Sequence, residues 1–444
     1  MKIIIAGAGK VGYNLAKNLS LYHDVTVMDK NEEALERISE ELDILPVCGD
    51  IEDPKTYMDL NIKEIDLFIA VTNLDEANML SIFIAEDHIH ATKKIIRLKN
   101  TFFKKTKVLQ KLDIFEAVYP LSLTTKKIEK LLKYSKANNV KSFSYTKAKL
   151  ISVRIINGKD TTFFPKKFLQ DYENVIAVGV ERDKKFMILE ENDVIKSDDL
   201  VYFFGKGDEI KRICSSLETK TPEIIKKCVI YGAADLGIEI AKALLKKDMQ
   251  IKIIEKDTSL CQKASEILEG NVTIINSKYS SHQFFTEERL SDADMFISTT
   301  KNDEYNIVKC IEAQEAGIKK VVSINNDLEY YDLMHRLGIV VVRGTKANAF
   351  YAILEKIESN GIIAKKKFCG GKATIFLRKI FKKSPLIDKT VHAYPPSKKA
   401  FCIIIKNENI ELFYGKTVCK EGDVIVVFSL EEESEKINKW IHNL

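Results

Sequence analysis

The first 29 residues restrict the fold of this chain more than any other stretch. Lys2-Ile3-Ile4-Ile5-Ala6 is a short apolar run closed by a glycine, the pattern of a strand buried on both faces of a parallel sheet. Gly7-Ala8-Gly9-Lys10-Val11-Gly12 follows, then an amphipathic run from Tyr13 to Leu21 and a second strand, Asp24 to Met28, that ends at Asp29. Gly7 permits the tight turn, Gly9 lets a pyrophosphate approach the backbone, and Gly12 lets the helix lie close on the strand. The helix N-terminus, opened by Lys10 and Val11, offers unpaired N–H groups and the positive end of its dipole to phosphate. Asp29 stands where a carboxylate accepts both ribose hydroxyls and repels a 2′-phosphate. One glycine motif is weak evidence; strand, loop, helix, strand and acid in this order are strong evidence.

The 444 residues exceed what one core supports, so more than one domain is expected. A formal net charge of +5 from 69 basic and 64 acidic residues gives no reason to expect a nucleic-acid partner. The clusters Lys126-Lys127, Lys365-Lys366-Lys367 and Lys382-Lys383 read as solvated faces. Eight cysteines form no CxxC pair and sit mostly inside apolar runs, which suits small buried core residues in a reduced, cytosolic protein. His88 and His90 are spaced to share a strand face but lack a third ligand, so no metal site is expected. No apolar run reaches the roughly 18–20 residues of a membrane span, and a core strand at the N-terminus leaves no room for a signal peptide.

Strands and helices then alternate. Asn31 to Leu42 reads as a helix capped by Asn31, and Ile44 to Val47 as a third strand leading into Gly49-Asp50. Leu67 to Val71 is a fourth strand that enters Thr72-Asn73-Leu74-Asp75-Glu76-Ala77-Asn78 and a helix; Lys94 to Arg97 is a fifth. Asn100 to Leu112 reads as a helix, Ala117 to Tyr119 as a sixth strand and Thr124 to Ser135 as a further helix. Such alternation predicts an α/β fold with a doubly wound parallel sheet, whose ligand groups gather at the carboxyl ends of the strands. The Gly7 loop, Asp29, Asp50, Thr72 to Asn78 and Arg97 all fall there. From Lys141 to about Leu217 short alternating segments form a small β-rich lobe, and Thr221-Pro222 marks a boundary.

The pattern then restarts. Lys227 to Tyr231 is a strand, Gly232-Ala233-Ala234-Asp235-Leu236-Gly237 a second glycine loop, and Ile251 to Ile254 a strand ending at Glu255. Thr300 to Asn306 repeats Thr72 to Asn78, Lys319 to Asn326 is aligned on Lys93 to Asn100, and a second β-rich lobe closes the chain. The chain is a tandem duplication of a Rossmann-like sheet domain, each copy followed by a small β-rich α+β lobe, with expected domains at 1–137, 141–218, 225–360 and 365–444.

The copies differ where a phosphate would lie. In the first, Arg97 can engage a phosphate bidentately and Lys99 can add a mobile charge; alternatively Arg97 pairs with Glu116 or Asp50. Thr72 and Asn73 can hydrogen-bond a ligand, while Asp75 as helix N-cap and Asn78 as a pin for the loop fit equally well. In the second copy the middle glycine is Ala234, Gly49-Asp50 becomes Ser277-Lys278, and the alignment puts Ser323 and Asn325 at Arg97 and Lys99. That site is expected to be weak, altered or empty, with Lys278 leaving room for a different anion. No nucleophile paired with a base stands out, so the chain reads as a binding and switching protein, not an enzyme.

Gly7-Ala8-Gly9-Lys10-Val11-Gly12, Asp29, Gly49-Asp50, Thr72-Asn73-x-Asp75-Glu76-x-Asn78 and Arg97-x-Lys99-Asn100 closely resemble the RCK (KTN) nucleotide-binding domain, and each following lobe looks like the RCK C-terminal domain. Two such pairs in one chain resemble the peripheral regulatory subunits of the Trk potassium uptake system. The resemblance implies a ligand site of Gly7, Gly9, Lys10, Val11, Gly12, Asp29, Asp50, Thr72, Asn73, Arg97 and Lys99. It implies NAD(H), ATP or ADP as regulatory ligand and a homo-oligomeric ring of four tandem chains. It further implies a place at the inner face of the cell membrane beside a membrane-embedded Trk potassium-translocating subunit. The rival readings are an NAD-dependent oxidoreductase and a structural ring scaffold with a vestigial nucleotide site.

Overall fold

The computed structural model describes residues 1–444 except 144, 157–168, 191, 220–221, 223, 278–281, 328, 359–362, 383, 389, 393–394 and 414–415. Thr221, Lys278 and Lys383, each given a role above, lie outside the described residues.

The first repeat builds a six-stranded sheet from β1 (Lys2–Ala6), β2 (Asp24–Asp29), β3 (Leu45–Cys48), β4 (Glu64–Ala70), β5 (His90–Arg97) and β6 (Glu116–Val118), ordered β3-β2-β1-β4-β5-β6. All its pairings are parallel, and the direction of winding reverses between β1 and β4, where Ala6 registers with Ala70. A crevice opens at such a reversal. Residues of β1 alternate between two cores: Ile3 and Ile5 face one, Ile4 and Ala6 the other.

A five-stranded antiparallel sheet follows, from β7 (Asn139–Ser142), β8 (Lys149–Arg154), β9 (Val175–Arg182), β10 (Lys185–Ile188) and β11 (Leu200–Gly205), ordered β10-β9-β11-β8-β7. The second repeat has β12 (Lys227–Tyr231), β13 (Gln250–Glu255), β14 (Thr273–Asn276), β15 (Met295–Ser298), β16 (Lys320–Asn325) and β17 (Val340–Arg343), in the same order as the first sheet. Its lobe contains β18 (Ile363–Phe368), β19 (Ala373–Lys379), β20 (Thr390–His392), β21 (Ala400–Lys406), β22 (Asn409–Leu412), β23 (Lys416–Val418) and β24 (Val424–Leu430). Five of these form the sheet β18-β19-β24-β21-β22, and β20 pairs with β23.

Repeats along the sequence and compact units in space do not coincide. One unit comprises residues 1–126 together with 343–358; the other comprises 127–342 and 359–444. The segment expected at 225–360 therefore parts with its last helix, Thr345–Glu358. Within the first unit Ala349, Phe350 and Ile353 of that helix enter the core of Val11, Leu15, Leu19 and Ile38. Asn348 Nδ2 donates to Thr124 Oγ1 at 2.7 Å, and Lys356 pairs with Glu116 at 2.8 Å. In the second unit both antiparallel sheets share one core, in which Phe186 and Phe368 meet edge to face at 5.2 Å. The fully buried Lys320 donates there to the carbonyls of Ser135 and, at 3.2 Å, Ala137.

Three local expectations are corrected. Asn100 to Leu112 is not one helix but a 3-10 turn, Thr101–Lys105, and a single α-turn, Val108–Lys111. Asn100 caps the turn through the Phe102 N–H, while Phe103, Leu109 and Leu112 reach the core at spacings that no single helical face supplies. His88 ends the helix Asp75–His88 and His90 begins β5, so they share no strand face. The helix expected from Thr124 starts at Pro120, whose fixed φ suits a first helical position.

Candidate functional site

Gly7 adopts φ +115°, and a Cβ there would meet the Thr72 N–H at 3.1 Å. A Cβ on Gly12 would lie 1.8 Å from the Gly7 carbonyl oxygen, so helix Lys10–Leu19 can seat on β1 only through glycine. Gly9 differs: φ −68° is open to any residue, and a Cβ there meets no protein atom within 4 Å. Gly9 and Lys10 are exposed, Val11 buried.

Asp29, half-buried at the end of β2, accepts from the Ala8 N–H at 2.6 Å through Oδ2 and from the Asn31 N–H at 2.9 Å through Oδ1. Its first partner is thus the glycine loop itself, which keeps the carboxylate beside the helix N-terminus. Asp50 accepts from the Glu52 N–H at 3.0 Å and faces Lys30 Nζ at 3.6 Å.

The loop after β4 is held by two side chains. Asn78 Oδ1 accepts from the Thr72 N–H at 2.8 Å and its hydroxyl at 2.7 Å, while Nδ2 donates to the carbonyls of Thr72 and Arg97 at 3.2 and 2.9 Å. Asp75 is not an N-cap. Leu74 occupies that position, and Asp75 instead accepts from the N–H groups of Lys99 and Asn100 at 2.7 and 2.8 Å, clamping the end of β5. Thr72 and Asp75 are therefore spent on framing the site.

Arg97 pairs with neither expected acid: Asp50 faces Lys30 and Glu116 faces Lys356. Its Nη1 donates to Asn73 Oδ1 at 3.2 Å and to the carbonyls of Val71 and Thr72 at 3.4 Å. The side chain is 7% exposed, and Nε is buried without a hydrogen-bond partner among the described residues. Burial pulls this guanidinium below its ordinary pKa, with Asp75 opposing. Lys99 is exposed beside it. Sequence reasoning gave no role to Tyr119, whose buried hydroxyl, just past β6, also lacks a partner, with Lys104 Nζ 4.2 Å from its ring centre. Its place after the last strand was the available signal. The Gly7 loop, Asp29, Thr72, Asn73 and Arg97 thus converge at the carboxyl ends of β1, β2, β4 and β5; Asp50 stands beyond β3 and Lys99 beyond β5.

The second repeat keeps the frame and loses the cationic centre. Gly232 has φ +110°, a Cβ on Gly237 would lie 1.9 Å from the Gly232 oxygen, and Ala234 places a methyl at the φ −68° position of Gly9. Glu255 is buried and bonded to the N–H groups of Ala233, Lys256 and Asp257 at 2.8, 2.8 and 3.0 Å. Asp303 and Asn306 reproduce the clamps of Asp75 and Asn78. Strand pairing corrects the sequence alignment by one residue: Ser298 registers with Ser323 as Ala70 does with Ile96, so Arg97 corresponds to Ile324 and Lys99 to Asn326. Ile324 is 2% exposed. Ser323 and Asn325 are buried and bonded to each other at 2.5 Å.

Among the described residues no group of three metal-ligating side chains is found, and no helix is long and apolar enough to cross a membrane. The TrkA-N domain model matches residues 3–120 and again 228–343. A Trk system potassium uptake protein TrkA homolog of Archaeoglobus fulgidus is 25% identical over 442 residues, covering 99% of each chain. The Trk system potassium uptake protein TrkA of Halomonas elongata is 25% identical over 443 residues, covering 97% of this chain and 96% of its own. Among solved structures, the GsuK RCK domain covers 100% of this chain and 95% of its own with a TM-score of 0.60 at 14% identity. The GsuK channel bound to NAD covers 100% and 79%, with the same TM-score and identity. Two glycine-loop sheets, each clamped by the same aspartate–asparagine pair and each matched by the same domain model, leave one conclusion: the chain belongs to the TrkA-N domain family and carries that domain twice.

Proposed function

We propose that this chain is a cytosolic, nucleotide-sensing regulatory subunit of a Trk-type potassium uptake system and that the first repeat is its sensor. Arg97 carries the reading. A guanidinium buried at the carboxyl end of β5, with its Nε unpartnered and no ion pair to it among the described residues, leaves strong donor capacity for an anion. The Gly7–Gly12 loop supplies the opposing N–H groups, Gly9 the open approach, and Asp29 the remaining acceptor capacity for ribose hydroxyls. These residues fit NAD(H), ATP or ADP, and Lys99 is placed to meet a further phosphate. The relatives named as Trk potassium uptake proteins and the fold shared with a channel bound to NAD support the same role.

A ligand gates only if it binds two states differently. Contacts from phosphate to Arg97 and the loop, present in one arrangement of a ring of four chains and broken in another, supply that difference. The membrane-embedded potassium-translocating subunit then reads the ring. The second repeat, with Ala234 and Ile324 at the phosphate positions, acts as a structural copy.

Calorimetric titration with ATP, ADP, NADH and NADP, on the full chain and on Arg97→Ala and Asp29→Asn, tests the site. Tight binding of ATP or NADH that Arg97→Ala weakens at least tenfold is expected. Absence of binding by the unmodified chain leaves the ring scaffold as the better account; turnover of NADH with a small substrate returns the oxidoreductase.

A further inference from the structure

The second sheet has a cavity at the amino ends of its strands, at the edge opposite its glycine loop. It measures about 310 Å³ and is bounded by the starts of β12, β13 and β14 and by the turn that enters β15. Three cations, Lys227, Lys252 and Arg289, line it, and among the described lining residues none is acidic. Lys252 is half-buried and spends one donor on the Glu288 carbonyl at 2.5 Å. Among the described residues no carboxylate pairs with Lys227 or Arg289. Nor does the helix that ends beside the cavity, Thr258–Leu268, call on these cations for its last carbonyl. The Asn271 N–H and Nδ2 both donate to the Leu268 carbonyl, at 3.0 and 3.1 Å.

Strand register shows what stands at the same places in the first sheet. Cys228 pairs with Ile251 and Met295 as Ile3 does with Val25 and Leu67, and Thr273 pairs with Lys252 as Leu45 does with Thr26. Counted from these pairs, Gln250, Lys252, Asn271 and Arg289 correspond to Asp24, Thr26, Asp43 and Asn61. The second repeat thus replaces two acids by amides and two neutral residues by cations along one rim. Arg289 and Asn61 share a left-handed backbone, φ 50° and 54°. Asparagine suits that backbone better than arginine does, so the turn itself gives no reason for Arg289.

We infer that this cavity is a second anion site, which takes a small molecule carrying more than one phosphate group. Arg289 offers a planar fork that meets two phosphate oxygens at once, and Lys227 and Lys252 add point charges. The volume lies at the lower end of small-molecule pockets, roughly 300–1,000 Å³. Buried Ile251 and Val272 also line it and suit an apolar part of the same ligand. The site stands across the sheet from the crevice of Ala234 and Ile324, so it does not reuse the nucleotide position that the second repeat has lost.

The full chain carrying Arg97→Ala, which removes the first repeat's anion donor, is titrated calorimetrically with inorganic pyrophosphate and with citrate. Pyrophosphate is expected to bind in preference to citrate, and more weakly as salt is raised. Adding Lys252→Thr and Arg289→Asn, the residues of the first repeat, should lower that affinity on the order of twentyfold, about fivefold per cation. An unliganded Tm within error of the parent's shows that this variant folds. Should it not fold, Lys227→Gln at an exposed position carries the test, with an expected loss of about fivefold. No pyrophosphate binding by the Arg97→Ala chain, equal affinity for citrate, or unchanged affinity in the variants overturns the inference. The nucleotide titrations of the unmodified chain judge the sensor separately, since the two sites belong to different sheets.

Discussion

Glu181 on β9 and Lys372, in the turn between β18 and β19, lie 2.7 Å apart although 191 residues separate them in the chain. The other Glu181 oxygen lies 3.5 Å from His335 Nδ1, and Lys372 also meets Asp332 at 2.7 Å. Both antiparallel lobes and the second sheet domain thus share one buried carboxylate. Burial opposes its ionisation, but His335 and Lys372 outweigh burial and hold the carboxyl down at about 2. The carboxylate therefore contributes stability above the ordinary glutamate range, and that contribution fades as pH falls through about 2. Glu181→Gln should lower the stability of the second unit by on the order of 3 kcal/mol at neutral pH. Denaturant unfolding at pH 7 and pH 3 checks this: the gap between variant and unmodified chain should narrow at the lower pH.

At Lys320 burial is the force that wins. Burial pushes its ammonium down to about 7, with Cys214 opposing. The unfolded chain, with an ordinary lysine near 10.5, then binds the proton more tightly between those values, so protonation favours unfolding. Relative to Lys320→Met, the unmodified chain should gain stability as pH rises from 7 towards 10.5. Urea unfolding at pH 7 and pH 9 measures it; a gap that stays constant or shrinks contradicts the assignment.

Gly12 and Gly9 of the first loop should separate under substitution to alanine. Gly12→Ala forces the helix off β1 and should destabilise the first unit by more than about 2 kcal/mol. Gly9→Ala leaves Tm unchanged within error and weakens nucleotide binding at least tenfold, because only the ligand needs that space. Ala234→Gly gains no binding, since Ile324 stands where Arg97 does. Thermal unfolding and calorimetry on the three variants distinguish these outcomes.

Ile353, in the helix Thr345–Glu358, is fully buried in the core of the first unit. Ile353→Ala should therefore cost about 2–5 kcal/mol, felt by the first repeat although the residue belongs to the second. Hydrogen exchange read at Leu15 and Leu19 is the direct measurement. Protection lost only around β12 to β17 would contradict it.

Much of this was legible in the sequence. Glycine spacing and βα alternation specify the sheet, because turn geometry and helix-on-strand packing leave little choice at Gly7 and Gly12. The duplication was legible from its repeated order. The register at Arg97 was not: Lys319-Lys320 matches Lys93-Lys94 as a string, while the true alignment is set by backbone pairing with β15. Asp75 was misread for a similar reason. An aspartate opening a helix looks like a cap, and only the fold brings the end of β5 within its reach. Nor did any local pattern show which sheet helix Thr345–Glu358 would cover, since an amphipathic face does not name its partner.

That helix also sets a timetable for synthesis. Val11, Leu15 and Leu19 leave the ribosome ahead of the whole second sheet, yet Phe350 and Ile353 that complete their core are made only after that sheet has been translated. At roughly 5–20 residues per second the nascent amino-terminal sheet waits on the order of tens of seconds with an apolar groove open to water. During that interval the growing chain itself, or a chaperone, has to cover the groove, and a message truncated before residue 345 yields a first repeat that can never close.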